Sequence, residues 1–97
     1  MIDVSEIIHK VDKPVFHAVG KAADSLSREC YAVGGIVRDI LLERHSKDID
    51  FLTVGSGIEV ARELAASIEP KVKVNVFKNF GTAQMVYKGI DLEFVGA

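Results

Sequence analysis

The chain is poor in cysteine, in basic charge and in long apolar runs, and each shortage excludes a class of protein. One cysteine, Cys30, rules out an intrachain disulfide. It predicts a small buried thiol in a reducing compartment. Twelve Lys and Arg stand against 14 Asp and Glu, a formal net charge of −2. That balance excludes the footprint of a strongly basic nucleic-acid binder. Any RNA contact must be local, or must come from polypeptide outside these residues. No apolar run is long enough to span a bilayer, and no basic-then-apolar leader opens the sequence. A cytoplasmic location is therefore expected. Internal repeats and low-complexity tracts are also missing.

What is present suits one small globular domain. The length is 97 residues and 48% of them are hydrophobic. A domain of this size buries roughly 60–65% of its unfolded-chain surface, so the core is modest. Residues 4–10 read as a short helix. Pro14 suits the first turn of a second one, with Val15, Phe16, Val19, Ala23 and Leu26 at helical spacing. Tyr31-Ala32-Val33 reads as a strand entering a tight turn at Gly34-Gly35, and Ile36, Val37, Ile40 and Leu41 as the core face of a further helix. Residues 48–54 form a strand, 58–68 a helix stopped by Pro70, and 72–76 a strand with one wet face near a sheet edge. Two more strands, 82–87 and 90–95, meet at a Lys88-Gly89 hairpin turn. The expected class is α+β, with about five strands in a mixed or antiparallel sheet and helices packed on one face. The sequence stops at Gly96-Ala97 directly after an apolar strand. This predicts a fragment of a longer protein.

Two motifs carry chemistry. Glycines at 34 and 35 leave backbone N–H groups open to a bulky anion and permit unusual dihedrals. The helix expected after them offers its free N–H groups and the positive end of its dipole. Arg38, in or near the first turn, has a guanidinium fork that can grip two phosphate oxygens. Asp39 either orients Arg38 or favours the helix start. The second motif is Asp48-Ile49-Asp50. On a strand these two aspartates face one side, with Cα atoms about 6.5–7 Å apart. Two such carboxylates can share metal ions, and hard oxygen ligands suit Mg²⁺. A third acid should come from strand 90–95, where Asp91 and Glu93 share one face. Periodicity does not choose between them. His45, Arg44 and Lys47 read as a solvated loop, and Phe77 and Phe80 as core.

The stretch Tyr31-Ala-Val-Gly-Gly-Ile-Val-Arg-Asp, followed by Leu-Leu-Glu-Arg and Asp48-Ile-Asp50-Phe51, resembles a known signature. It is similar to the head domain of bacterial CCA-adding tRNA nucleotidyltransferases and poly(A) polymerases, within the polymerase-β-type superfamily. Weaker similarity continues through Gly81-Thr82 and Leu92-Glu93-Phe94. Glu43 departs from the pattern, since many relatives carry glycine there. The resemblance implies one head domain over 1–97, with N-terminal helices at about 4–29 and a catalytic core at about 31–97. It implies that Gly34, Gly35, Arg38 and Asp39 bind the nucleotide, that Asp48 and Asp50 hold Mg²⁺, and that Glu93 completes the catalytic acids. The implied reaction transfers AMP or CMP from ATP or CTP to the 3′-hydroxyl of an RNA, expected to be tRNA, and releases pyrophosphate. The isolated fragment is expected to add no nucleotides by itself. The competing expectation is a non-catalytic nucleotide- or RNA-binding module of the same fold. A third reading, a Rossmann-type dinucleotide site, is weak, for want of G-x-G-x-x-G and because of the hairpin-rich C-terminal half.

Overall fold

The computed structural model describes residues 2–10, 14–34, 48–68, 72–77 and 81–96. A two-residue strand, β1 (Ile2–Asp3), leads into α1 (Val4–Lys10). The Asp3 carboxylate caps α1 by accepting from the Ser5 backbone N–H at 2.9 Å and the Ser5 hydroxyl at 2.7 Å. Helix α2 (Pro14–Ser25) starts at its proline and buries Val15, Phe16, Val19, Ala22 and Ala23. Strands β2 (Cys30–Val33) and β3 (Asp48–Thr53) follow, then α3 (Gly57–Ala66). Ser56 caps α3, its hydroxyl accepting from the Glu59 N–H, and Val60, Ala61, Leu64 and Ala65 face the core. The chain ends in β4 (Asn75–Phe77), β5 (Thr82–Tyr87) and β6 (Ile90–Gly96). No described helix is long and apolar enough to cross a membrane.

The described strands form one six-stranded sheet in the order β1-β2-β3-β6-β5-β4. Strands β3 and β6 run parallel, and every other neighbouring pair is antiparallel. One face is apolar and lies against the helices. Phe51 is its centre: its ring stacks on Phe94 at 5.2 Å and meets the edge of Phe16 at 6.3 Å. Around this trio sit Ile7, Val19, Leu64, Met85 and Leu92, all essentially without solvent exposure.

The mixed α+β sheet with its helices on one face is as expected, with two corrections. Among the described residues the sheet has six strands where about five were expected, because Ile2–Asp3 pairs with β2 through Ile2 opposite Ala32 and Asp3 opposite Tyr31. The strand expected at 72–76 is instead Asn75–Phe77, paired with β5 from Asn75 opposite Gln84 to Phe77 opposite Thr82. Val72 and Val74 still pack against the core, but ahead of the ladder. As expected, this strand is an edge. The Lys88-Gly89 turn carries φ values of 47° and 82°, the double positive φ of a tight two-residue hairpin. The helix expected over 36–41, and with it His45, lies outside the described residues.

Candidate active site

Strand β3 alternates. Ile49, Phe51 and Thr53 enter the core, while Asp48 and Asp50 stand exposed on the opposite face. Strand β6 does the same, with Leu92 and Phe94 inward and Asp91 and Glu93 outward. The parallel register places Asp48 opposite Asp91 and Asp50 opposite Glu93. Adjacent strands lie about 4.8 Å apart. Four carboxylates therefore form a two-by-two block on the face turned away from the helices.

The glycine turn opens beside this block. Val33, the last residue of β2, pairs with Asp50. Gly34 follows with a φ of 72°, and a Cβ placed on it would lie 3.5 Å from Asp50 Oδ2. The backbone at the turn thus passes directly by one of the two candidate metal-binding aspartates. Gly35, Arg38 and Asp39 lie outside the described residues.

Asp48, Asp50, Asp91, Glu93, Leu92 and Gln84 line a shallow hollow of about 270 Å³. Gln84 was not anticipated, although the alternation of β5 placed it on the wet face. Its side-chain amide accepts a hydrogen bond from Asn75 Nδ2 at 2.9 Å and donates from Nε2 towards Asp91 Oδ1 at 3.5 Å. A larger hollow of about 400 Å³ lies at the far end of the sheet, between Asp3, Asp24, Arg28, Glu29 and Cys30. It shares no residue with the carboxylate block. Among the described residues lining it the one cation is Arg28, paired with Glu59 at 3.4 Å. The chemistry favours the smaller hollow, where the acids converge.

No group of three or more His, Cys, Asp or Glu among the described residues closes into a metal cage. The donor set nevertheless has the chemistry of a hard divalent cation such as Mg²⁺. This ion is commonly held by one or two carboxylates together with substrate phosphates rather than by an all-protein cage. Among the described residues every donor here is a carboxylate oxygen, with no soft ligand beside it. Cys30 plays no part. It is the first residue of β2 with its side chain in the core, and burial, the largest influence, pushes its thiol up to about 11. Phe77, expected in the core, is 51% exposed, and Val86 is 47% exposed. Pairing of β4 with β5 sets Phe77 beside Thr82 on the wet face, because no layer covers that side among the described residues.

A family model described as the poly A polymerase head domain matches residues 30–96. The chain belongs to this family. The A-adding tRNA nucleotidyltransferase of Aquifex aeolicus is 46% identical over 67 residues, which is 69% of this chain and 8% of that protein. A solved tRNA nucleotidyltransferase, complexed with a primer tRNA and an incoming ATP analogue, superposes with a TM-score of 0.74 at 43% identity, covering 81% of this chain and 22% of that one. A CCA-adding enzyme in complex with ATP gives a TM-score of 0.80 at 30% identity, covering 98% of this chain and 24% of that one. The chain thus spans about a tenth or less of the length of its first curated relatives. The head-domain match takes in β2, the glycine turn, β3 and β6, the elements that build the carboxylate block.

Proposed function

We propose that this head domain carries the chemistry of an RNA nucleotidyltransferase. It would transfer AMP or CMP from ATP or CTP to an RNA 3′-hydroxyl, with tRNA as the substrate that the relatives suggest. The observation that carries this reading is the meeting of Asp48 and Asp50 with the Gly34 turn on one face of the sheet, with Glu93 in register beside Asp50. A divalent cation, Mg²⁺, would be held by Asp48 and Asp50 with Glu93 alongside. When bound, it would supply positive charge to the triphosphate and the attacking hydroxyl.

The side chains themselves have little covalent work to do. Phosphoryl transfer depends mainly on positioning and on charge stabilisation. The bond from the RNA 3′-oxygen to the α-phosphorus forms as the bond from that phosphorus to the pyrophosphate oxygen breaks. Gly34 supplies the left-handed φ of 72° that the turn beside Asp50 requires. Gly35 and the Arg38 guanidinium would grip the triphosphate, and Asp39 would support them. The rigid β3–β6 pair fixes the spacing of the acids, since the residues between them are locked in the core.

The test is Asp50→Ala in the polypeptide that carries this head, assayed for addition of radiolabelled AMP and CMP to tRNA. Addition should fall by about two to three orders of magnitude or more, the scale of losing preorganised charge stabilisation. Near-normal addition by a folded variant would refute the assignment.

A further inference from the structure

The block holds four acids, and both Asp91 and Glu93 are candidates for the third ligand. The structure treats them differently. Glu93 stands in register with Asp50 on one side and with Gln84 on the other. Asp91 stands in register with Asp48 and Val86, and it receives the Gln84 amide. Gln84 in turn is held by Asn75, its own cross-strand partner.

The direction of this chain is fixed by chemistry. An ionised carboxylate only accepts hydrogen bonds, so Gln84 must turn its NH₂ towards Asp91 and its carbonyl oxygen towards Asn75. Asn75 supplies the matching donor at 2.9 Å. The edge strand β4 thereby sets the orientation of an amide that points into the hollow. Gln84 is also the one hydrogen-bond donor side chain among the described residues lining it.

We propose that Asn75 and Gln84 form an amide relay that holds Asp91 towards β5 as a spectator carboxylate. Asp48, Asp50 and Glu93 are then left to face the cation. Gln84 is a positioning residue: it acts on the site through Asp91 rather than by touching substrate. The relay rests on the nucleotidyltransferase reading above, because that reading places the cation in this hollow.

The experiment is Mn²⁺ titration of this chain, followed by electron paramagnetic resonance at about 0.15 M ionic strength, which damps the long-range effect of removing one charge. In the unaltered background, Asp91→Asn should change the Mn²⁺ dissociation constant by no more than about threefold, the scale of a screened neighbouring charge. Gln84→Met removes the donor at similar length and frees Asp91 to join the ion, so binding should tighten several-fold. Adding Asp91→Asn to Gln84→Met should cancel that gain. Asn75→Ala should tighten binding in the same direction as Gln84→Met and add nothing to it in the double variant. If Gln84→Met does not fold, Gln84→Ala serves the same cycle. The relay is overturned if either Gln84 variant leaves the constant unchanged. It is equally overturned if Asp91→Asn weakens binding as much as Asp50→Asn does. Asp50→Asn separates the two ideas. Should it leave Mn²⁺ binding intact, the metal reading of the hollow fails. Should it abolish binding while the Gln84 cycle shows no coupling, only the relay fails.

Discussion

Cys30 shows how one side chain ties stability to pH. It is 3% exposed, and the Thr53 hydroxyl donates to its sulfur at 3.8 Å. Burial pushes the thiol from an ordinary value of 9.0 up to about 11; the Thr53 hydrogen bond opposes this and the Asp3 charge adds to it. In the unfolded chain the thiol ionises near its ordinary value, while in the fold it keeps its proton. Below that value both states are protonated and the contribution to stability is complete. As pH rises from about 9 towards 11, the unfolded state alone loses its proton, and folding weakens by up to about 3 kcal/mol. The urea midpoint should be level near neutrality and fall through this alkaline window. Cys30→Ser keeps an acceptor for Thr53 but removes the titration, so its curve should stay flatter. An equal fall in the serine variant would assign the effect to another group, such as the Tyr31 hydroxyl, which Glu29 chiefly pushes upward.

At the scale of elements, the start of α3 is a tight joint. A Cβ on Gly57 would lie 2.7 Å from the Phe94 carbonyl oxygen and 2.8 Å from its carbon. These are backbone atoms of a strand locked between β3 and β5, so they cannot yield cheaply. In an open helix Gly→Ala stabilises by about 0.5–1 kcal/mol. Here Gly57→Ala should instead destabilise, by about 1–3 kcal/mol, because α3 must lift from β6. Chemical denaturation decides this, and a stabilised variant would mean that the joint is compliant. The same elements show what periodicity can and cannot reveal. Helices α2 and α3 and strands β3, β5 and β6 were legible because each has a buried stripe or a clean alternation. Ile2–Asp3 was not, since two residues carry no period. Val72, Val74 and Val76 alternate like a strand, yet the ladder begins only at Asn75, where β5 offers partners. Alternation records burial, and burial does not require pairing.

Across the whole molecule, the acids of the site were readable, Asp91 and Glu93 as alternatives for the third, but the register that aligns them was not. Asp48 and Asp50 follow from a period of two within six residues. Their alignment with Asp91 and Glu93 depends on a parallel pairing between strands far apart in sequence, for which no local signal exists. Gln84 reaches the hollow by the same long-range route. This assembly has a thermodynamic consequence. Like charges directly opposite on neighbouring strands are destabilising, by roughly 0.2–1 kcal/mol per pair. Asp50 faces Glu93 across one ladder and lies two residues from Asp48. Asp50→Asn relieves that repulsion at nearly constant shape. For a chain of this length, about 0.5 kcal/mol corresponds to a rise in Tm of roughly 2–4 °C. A site kept for cation binding should therefore be a site that weakens the empty fold. Added Mg²⁺ should raise the Tm of the unaltered chain more than an equal ionic strength of NaCl, since a ligand of the folded state stabilises it by mass action. The asparagine variant should begin higher and show no response to Mg²⁺ beyond that of NaCl. A variant that melts lower than the unaltered chain, yet still responds specifically to Mg²⁺, would show that Asp50 serves the architecture of the sheet and not the cation.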